Sequence, residues 1–141
     1  MHLKIKKENK CKRCKKERLK TNLFCLFHYI YNILGYYKIE DKKQLTIKLI
    51  EKIKKQEFQC YYTGVIIYPG INASIDHKIP ISKNGTNSIN NLVWCESSIN
   101  RMKGNKTDKE FISLCTNQLV EFNYLYSIEN KKSLNYILNN L

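Results

Sequence analysis

The stretch from Ser74 to Asn105, SIDHKIPISKNGTNSINNLVWCESSINRMKGN, decides how the rest of the chain is read. An extended run from Ala73 to Ile81 leads into a polar loop containing Asn84-Gly85, and a short strand at Leu92 to Trp94 runs into a helix from about Cys95 to Lys103. Strand, loop, strand and helix make one compact ββα unit. Within it Asp76 and His77 are adjacent, Asn91 follows 14 residues after the histidine, and Asn100 nine residues further. A carboxylate, an imidazole and two amides on short, connected elements suit metal-assisted phosphodiester cleavage.

The flanking sequence supplies a core for this unit. On the predicted helix, Cys95, Ile99 and Met102 stand at i, i+4 and i+7 and are expected to face inward, while Asn100 and Lys103 share a neighbouring face and Gly104 is a C-cap. Upstream, Phe58 to Tyr62 reads as a strand, Thr63-Gly64 as a turn and Val65 to Tyr68 as its partner. Asp41 and Gln44 form a capping box for a helix over residues 42–57, whose apolar stripe is Leu45, Leu49, Ile50 and Ile53 and whose outer face is rich in lysine. Solvation is the default reading of those lysines. Thr107 with Glu110 opens a further helix with a stripe of Phe111, Leu114, Cys115, Leu119 and Phe122, and Leu134, Ile137, Leu138 and Leu141 mark a last one.

Before the core lies Cys11-Lys-Arg-Cys14, then Cys25-Leu-Phe-His28. Two chelating pairs separated by a ten-residue loop put three soft sulfurs and one imidazole within reach of a tetrahedral zinc ion. So short and charged a segment needs such a staple to fold, and a structural zinc supplies on the order of 10 kcal/mol. The apolar residues Leu23, Leu26, Phe27, Ile30, Ile33, Leu34 and Tyr37 recur at helical spacing, so the second pair opens a helix ending near Gly35. The expected fold class is α+β: a small ββα core flanked by several helices, with an N-terminal zinc knuckle. The expected divisions are a flexible basic arm over 1–10, the knuckle and its helix over 11–36, a helix plus core over 42–105, and C-terminal helices over 106–141 packed on that core.

Charge points to the partner. The chain of 141 residues has a formal net charge of +13, and residues 1–20 hold ten Lys or Arg against Glu8 and Glu17. A polyanion, nucleic acid ahead of membrane, is the fitting partner. The charged start lacks an apolar signal region, and Leu23 to Tyr37 is too short and too polar to span a bilayer, so an intracellular location is expected: cytoplasmic, nuclear, or a host cell if the protein is viral. In a reducing compartment the six cysteines read as metal ligands or core thiols rather than disulfides.

The chemistry follows from the residue types. His77 can take a proton from water near neutral pH, and a positioned base of this kind contributes roughly 10²–10⁴-fold. Asp76 and Asn100 offer hard oxygens of the kind that Mg²⁺ or Mn²⁺ prefers, and Lys103 can add a positive contact to the scissile region.

The stretches Cys60-Tyr-Tyr-Thr-Gly64, Ser74-Ile-Asp-His-Lys-Ile-Pro80, Asn90-Asn-Leu-Val-Trp-Cys95 and Asn100-Arg-Met-Lys-Gly104, in this order, resemble the HNH endonuclease motif, the ββα-metal finger, over about residues 58–105. The resemblance implies His77 as general base, Asp76 and Asn100 as ligands of the catalytic metal, and Asn91 as the residue that orients the histidine and steadies the loop. It also implies a twist or bulge at the end of the first strand, because consecutive strand residues otherwise point to opposite faces. Many such proteins hold a zinc between two Cys-x-x-Cys pairs. The corresponding positions here are Cys60 with Thr63 and Cys95 with Ser98, so no zinc is expected there and the two thiols should be buried near one another. The implied activity is metal-dependent cleavage of duplex DNA to 5′-phosphate and 3′-hydroxyl ends. The alternatives are a non-catalytic zinc-containing nucleic-acid-binding protein, or a structure-specific or RNA-acting nuclease on the same site. Oligomeric state is open.

Overall fold

The computed structural model describes residues 10–19, 24–36 and 39–118. The chain divides into two compact units, residues 1–105 and 106–141. In the first, α1 (Leu26–Ile33) passes through a tight helical turn at Leu34–Tyr36 towards α2 (Lys42–Lys55), and β1 (Ala73–His77), β2 (Leu92–Glu96) and α3 (Ser97–Lys103) follow. The fold is α+β with a two-stranded antiparallel sheet, β1 against β2.

Local chemistry sets the ends of α2. The Asp41 carboxylate accepts from the Gln44 backbone N–H at 2.9 Å, filling one of the donors left over in the first helical turn. Leu45, Leu49 and Ile53 are buried along one side, and Lys52, Lys54 and Lys55 crowd the last turn, where the helix dipole favours cations. Helix α2 ends at Lys55 because Glu57 and Phe58 both adopt positive φ, 52° and 56°.

Those two left-handed residues also explain a departure from the expected hairpin. Phe58 to Tyr62 and Val65 to Tyr68 do not form a strand pair; only a single bridge, Gln59 with Ile66, joins them. The chain can enter extended geometry only at Gln59, and at Cys60 it already turns: Gly64 N–H donates to the Cys60 carbonyl at 2.9 Å, with Gly64 at φ 70°. The result is a knuckle, docked on the sheet where Tyr61 N–H donates to the Trp94 carbonyl at 3.0 Å.

Trp94 ties this unit together. Its side chain is fully buried and its indole N–H donates to the Leu49 carbonyl at 2.9 Å. Gln56, just past α2, accepts from the Trp94 N–H and donates to the Trp94 carbonyl, so one amide grips both backbone groups of a β2 residue. Around this point pack Ile30, Leu34, Leu49, Ile53, Ile67 and Leu92. The expected buried thiols are here: Cys60 and Cys95 both lie in the core, close enough for Cys60 to act electrostatically on Cys95, and the Cys60 sulfur accepts from the Glu96 N–H at 3.3 Å.

Strand alternation allots the faces. Ser74 pairs with Cys95 and Asp76 with Val93 on one face; Ile75 pairs with Trp94 and His77 with Leu92 on the other. Trp94 reaches α2, whereas Ser74 and Asp76 are met by α3. Helix α3 begins at Ser97, later than expected, since Cys95 and Glu96 still belong to β2. This shift corrects the inward face: Met102 is 63% exposed and Lys103 is fully buried, because the Asp76 carboxylate draws the ammonium in.

In the second unit a helix covers residues 108–118, opened by a reciprocal capping box in which Thr107 N–H donates to Glu110 Oε2 and Glu110 N–H donates to Thr107 Oγ1. Leu114, expected in its apolar stripe, is exposed. The expected helix around Leu134 to Leu141, with Leu119 and Phe122, and residues 1–9 of the arm expected over 1–10 lie outside the described residues; Lys10 forms a bridge with Glu17. No helix among the described residues is long and apolar enough to cross a membrane.

Candidate active site

Asp76 is buried, and both of its oxygens are held: Lys103 Nζ lies 3.1 Å from Oδ1, and the Tyr62 hydroxyl donates to Oδ2 at 2.7 Å. Lys103 also donates to the His77 carbonyl at 2.8 Å, so one ammonium pins two consecutive residues of the strand end. Each carboxylate oxygen can accept more than one partner, which leaves Asp76 able to ligate a cation as well.

His77 faces away from Asp76 on the sheet, and the register runs unbroken through both residues, with no bulge. They nevertheless line one cleft of about 260 Å³, together with Ser82, Lys103 and Asn105. They meet at the end of β1, whose last residue is His77. His77 Nε2 lies 2.8 Å from Asn87 Oδ1. With the amide oxygen accepting, Nε2 is the donor, which makes Nδ1 the lone-pair nitrogen in the neutral form of the ring.

The two other asparagines have different surroundings. Asn91 braces the loop: its Oδ1 accepts from Ile79 N–H at 2.9 Å, and its Nδ2 donates to the carbonyls of Ile79 and Thr86. The asparagine against His77 is Asn87, ten residues after the histidine. Asn100 donates through Nδ2 to Ser74 Oγ at 2.7 Å, on the sheet face that carries Asp76, and does not line the cleft. This leaves its Oδ1 as the acceptor. The Asp76 carboxylate in the cleft is an oxygen donor of the kind a hard divalent cation takes, whereas Asn100 is held against Ser74 on the same sheet face.

The loop that carries these contacts is closed tightly. Gly85 N–H donates to the Pro80 carbonyl at 2.9 Å, and Asn84 turns the chain with φ 61°. A Cβ on Gly85 would lie 1.8 Å from the Ile79 carbonyl oxygen, so only glycine fits.

A second constellation stands at the N-terminus. The ligand atoms of Cys11, Cys14, Cys25 and His28 all lie within 4.8 Å of one another. His28 Nδ1 is 3.5 Å from the Cys11 sulfur and 3.4 Å from that of Cys25, and the Cys14 and Cys25 sulfurs are 3.6 Å apart. A tetrahedron built on zinc–sulfur bonds of about 2.3 Å has edges of roughly 3.7 Å, so the four can hold a zinc ion. Burial works against ionisation of Cys11, yet backbone hydrogen bonds from Cys25, Cys14 and Arg13 draw its pKa down to about 5. Burial, with the nearby Asp76 charge, instead pushes the Cys95 thiol up, which keeps it a neutral core group.

Residues 60–108 match the family model described as HNH endonuclease. Over this segment the chain is similar to HNH endonucleases. The segment contains Asp76, His77, Asn91, Asn100 and Lys103, and the Cys3His cluster lies outside it. A comparison of the chain with curated proteins gave no match. Sequence reasoning missed two neighbours of the site. Tyr62 was visible only as part of the Cys60 to Gly64 motif, and nothing in the spacing separated Asn87 from the other loop asparagines.

Proposed function

We propose that the protein is a metal-dependent endonuclease that hydrolyses phosphodiester bonds of duplex DNA at the β1 end. The observation that carries this reading is the convergence of Asp76, His77 and Lys103 on one cleft within the segment similar to HNH endonucleases. His77, held through Nε2 by Asn87, takes the proton of the attacking water at Nδ1. Lys103 holds the Asp76 carboxylate and the His77 carbonyl in place and adds positive charge beside the scissile phosphate. Asp76 and Asn100 would hold Mg²⁺ or Mn²⁺, which when bound neutralises the charge that builds on the phosphate and leaving oxygen. Asn91 serves as the loop brace. The Cys3His cluster takes zinc as a structural staple for a segment with little core of its own.

The test is plasmid nicking with Mg²⁺ present or omitted, comparing wild type with His77→Ala. Mg²⁺-dependent nicking that disappears in the variant, while DNA binding remains, supports the reading. Equal activity of both proteins, or binding without any nicking, would count against it.

A further inference from the structure

Helix α2 carries lysines on two sides, and the two sides differ. Lys48, Lys52 and Lys55 stand at i, i+4 and i+7 and so share one face; Lys43 and Lys54 lie on the opposite one, at about 3.6 residues per turn. The first three open onto a groove of about 290 Å³ whose other wall is Ile89 and Asn90, with Glu51 also lining it. Lys52 donates to the Ile89 carbonyl at 2.7 Å, which fixes the helix face against the loop. That loop carries Asn87, the residue in contact with His77. Burial, and after it the charge of Lys78, next to His77 in sequence, lower the Lys52 ammonium pKa. Among the described residues none of these four lysines is paired with a carboxylate.

Unpaired like charges gathered along a groove cost stability unless they serve an anion. The run from Lys48 to Lys55 is about 10 Å long at roughly 1.5 Å per residue, and one DNA strand places a phosphate about every 3.4 Å of helix axis. The stripe therefore spans about three phosphates. We propose that Lys48, Lys52 and Lys55, with Lys78, form the surface that grips the backbone of duplex DNA and leads it across the 87–91 loop to His77. This rests on the nuclease reading for its direction towards His77, but the grip itself requires no cleavage.

The experiment measures binding of the full chain to a fluorescent duplex across a range of salt concentrations, without added Mg²⁺. Two double variants are compared with wild type: Lys48→Gln with Lys55→Gln on the stripe, and Lys43→Gln with Lys54→Gln opposite. Lys52 is left intact because it also anchors the loop. The stripe pair is expected to reduce the slope of log K against log salt by about 2, at about 0.9 per lost phosphate contact, and to weaken binding roughly tenfold at moderate salt. The opposite pair, which removes the same charge, should leave the slope unchanged. Equal effects of the two pairs, an unaffected stripe pair, or no binding by wild type would each overturn the proposal. A stripe-specific change in a protein that never nicks DNA would leave the grip standing and remove only the nuclease reading.

Discussion

Lys103 and Asp76 form a buried ion pair, Nζ to Oδ1 at 3.1 Å, at the junction of α3 and the end of β1. Strand and helix bring these residues together from 27 positions apart, and both are shielded from water. Taking away one partner strands a charge. Lys103→Met is therefore expected to destabilise the protein by about 3–5 kcal/mol, whereas Asp76→Asn with Lys103→Met should recover much of that loss. Urea unfolding followed by the fluorescence of Trp94, the chain's one tryptophan and fully buried, reads both. A single variant as stable as wild type would show that the pair is dispensable to the fold.

His77→Ala should lower Mg²⁺-dependent nicking by roughly 10²–10⁴-fold while leaving the unfolding midpoint nearly unchanged, because the ring is half-buried and lines the cleft. Rates from plasmid relaxation, set beside unfolding curves of the same preparations, separate lost chemistry from lost structure.

Asn87 and Asn91 are expected to behave differently. Asn87→Ala removes the contact to His77 Nε2 and should lower kcat roughly tenfold with little change in stability. Asn91→Ala removes three hydrogen bonds that close the loop and should cost about 1–2 kcal/mol, with activity falling as a consequence. If Asn91→Ala lowered kcat at full stability, the orienting role would belong to Asn91 instead.

Gly85→Ala places a methyl group against the Ile79 and Pro80 backbone, and its nearest contact, 1.8 Å, is far inside any allowed separation. The loop must open. Loss of both nicking and several degrees of melting temperature is expected, against no effect for the exposed Gly64→Asn, whose site has open space and whose φ of 70° asparagine tolerates.

Metal analysis of protein purified without chelator should find one zinc per chain, and Cys14→Ser should reduce that content and expose the N-terminal segment to protease. Zinc retained in full by that variant would mean that the cluster is not where it binds.

Much of this protein can be read from its residues. The order of elements, the Asp41 cap, the β-α step after Leu92 and the Cys3His spacing are local properties, set by periodicity, side-chain capping and ligand chemistry over a few positions. Asp76, His77 and Lys103, which line the cleft, were legible for the same reason, since they occupy a short, ordered motif.

What the local pattern left open is how these groups face one another, because that depends on contacts between distant segments. The hairpin expected at Phe58 to Tyr68 gave way to a knuckle once two left-handed residues ended α2 and the segment docked on Trp94. Lys103 turned inward and Met102 outward because a buried carboxylate outweighs an apolar side chain's place on a short helix. Sequence by itself determined which chemical groups this chain carries and on which elements. Only the tertiary structure decided that Asn87 meets His77, that Tyr62 and Lys103 hold Asp76, and that the lysines of one α2 face lie beside the same loop, since each pairing is made through space by elements whose order along the chain does not specify their approach.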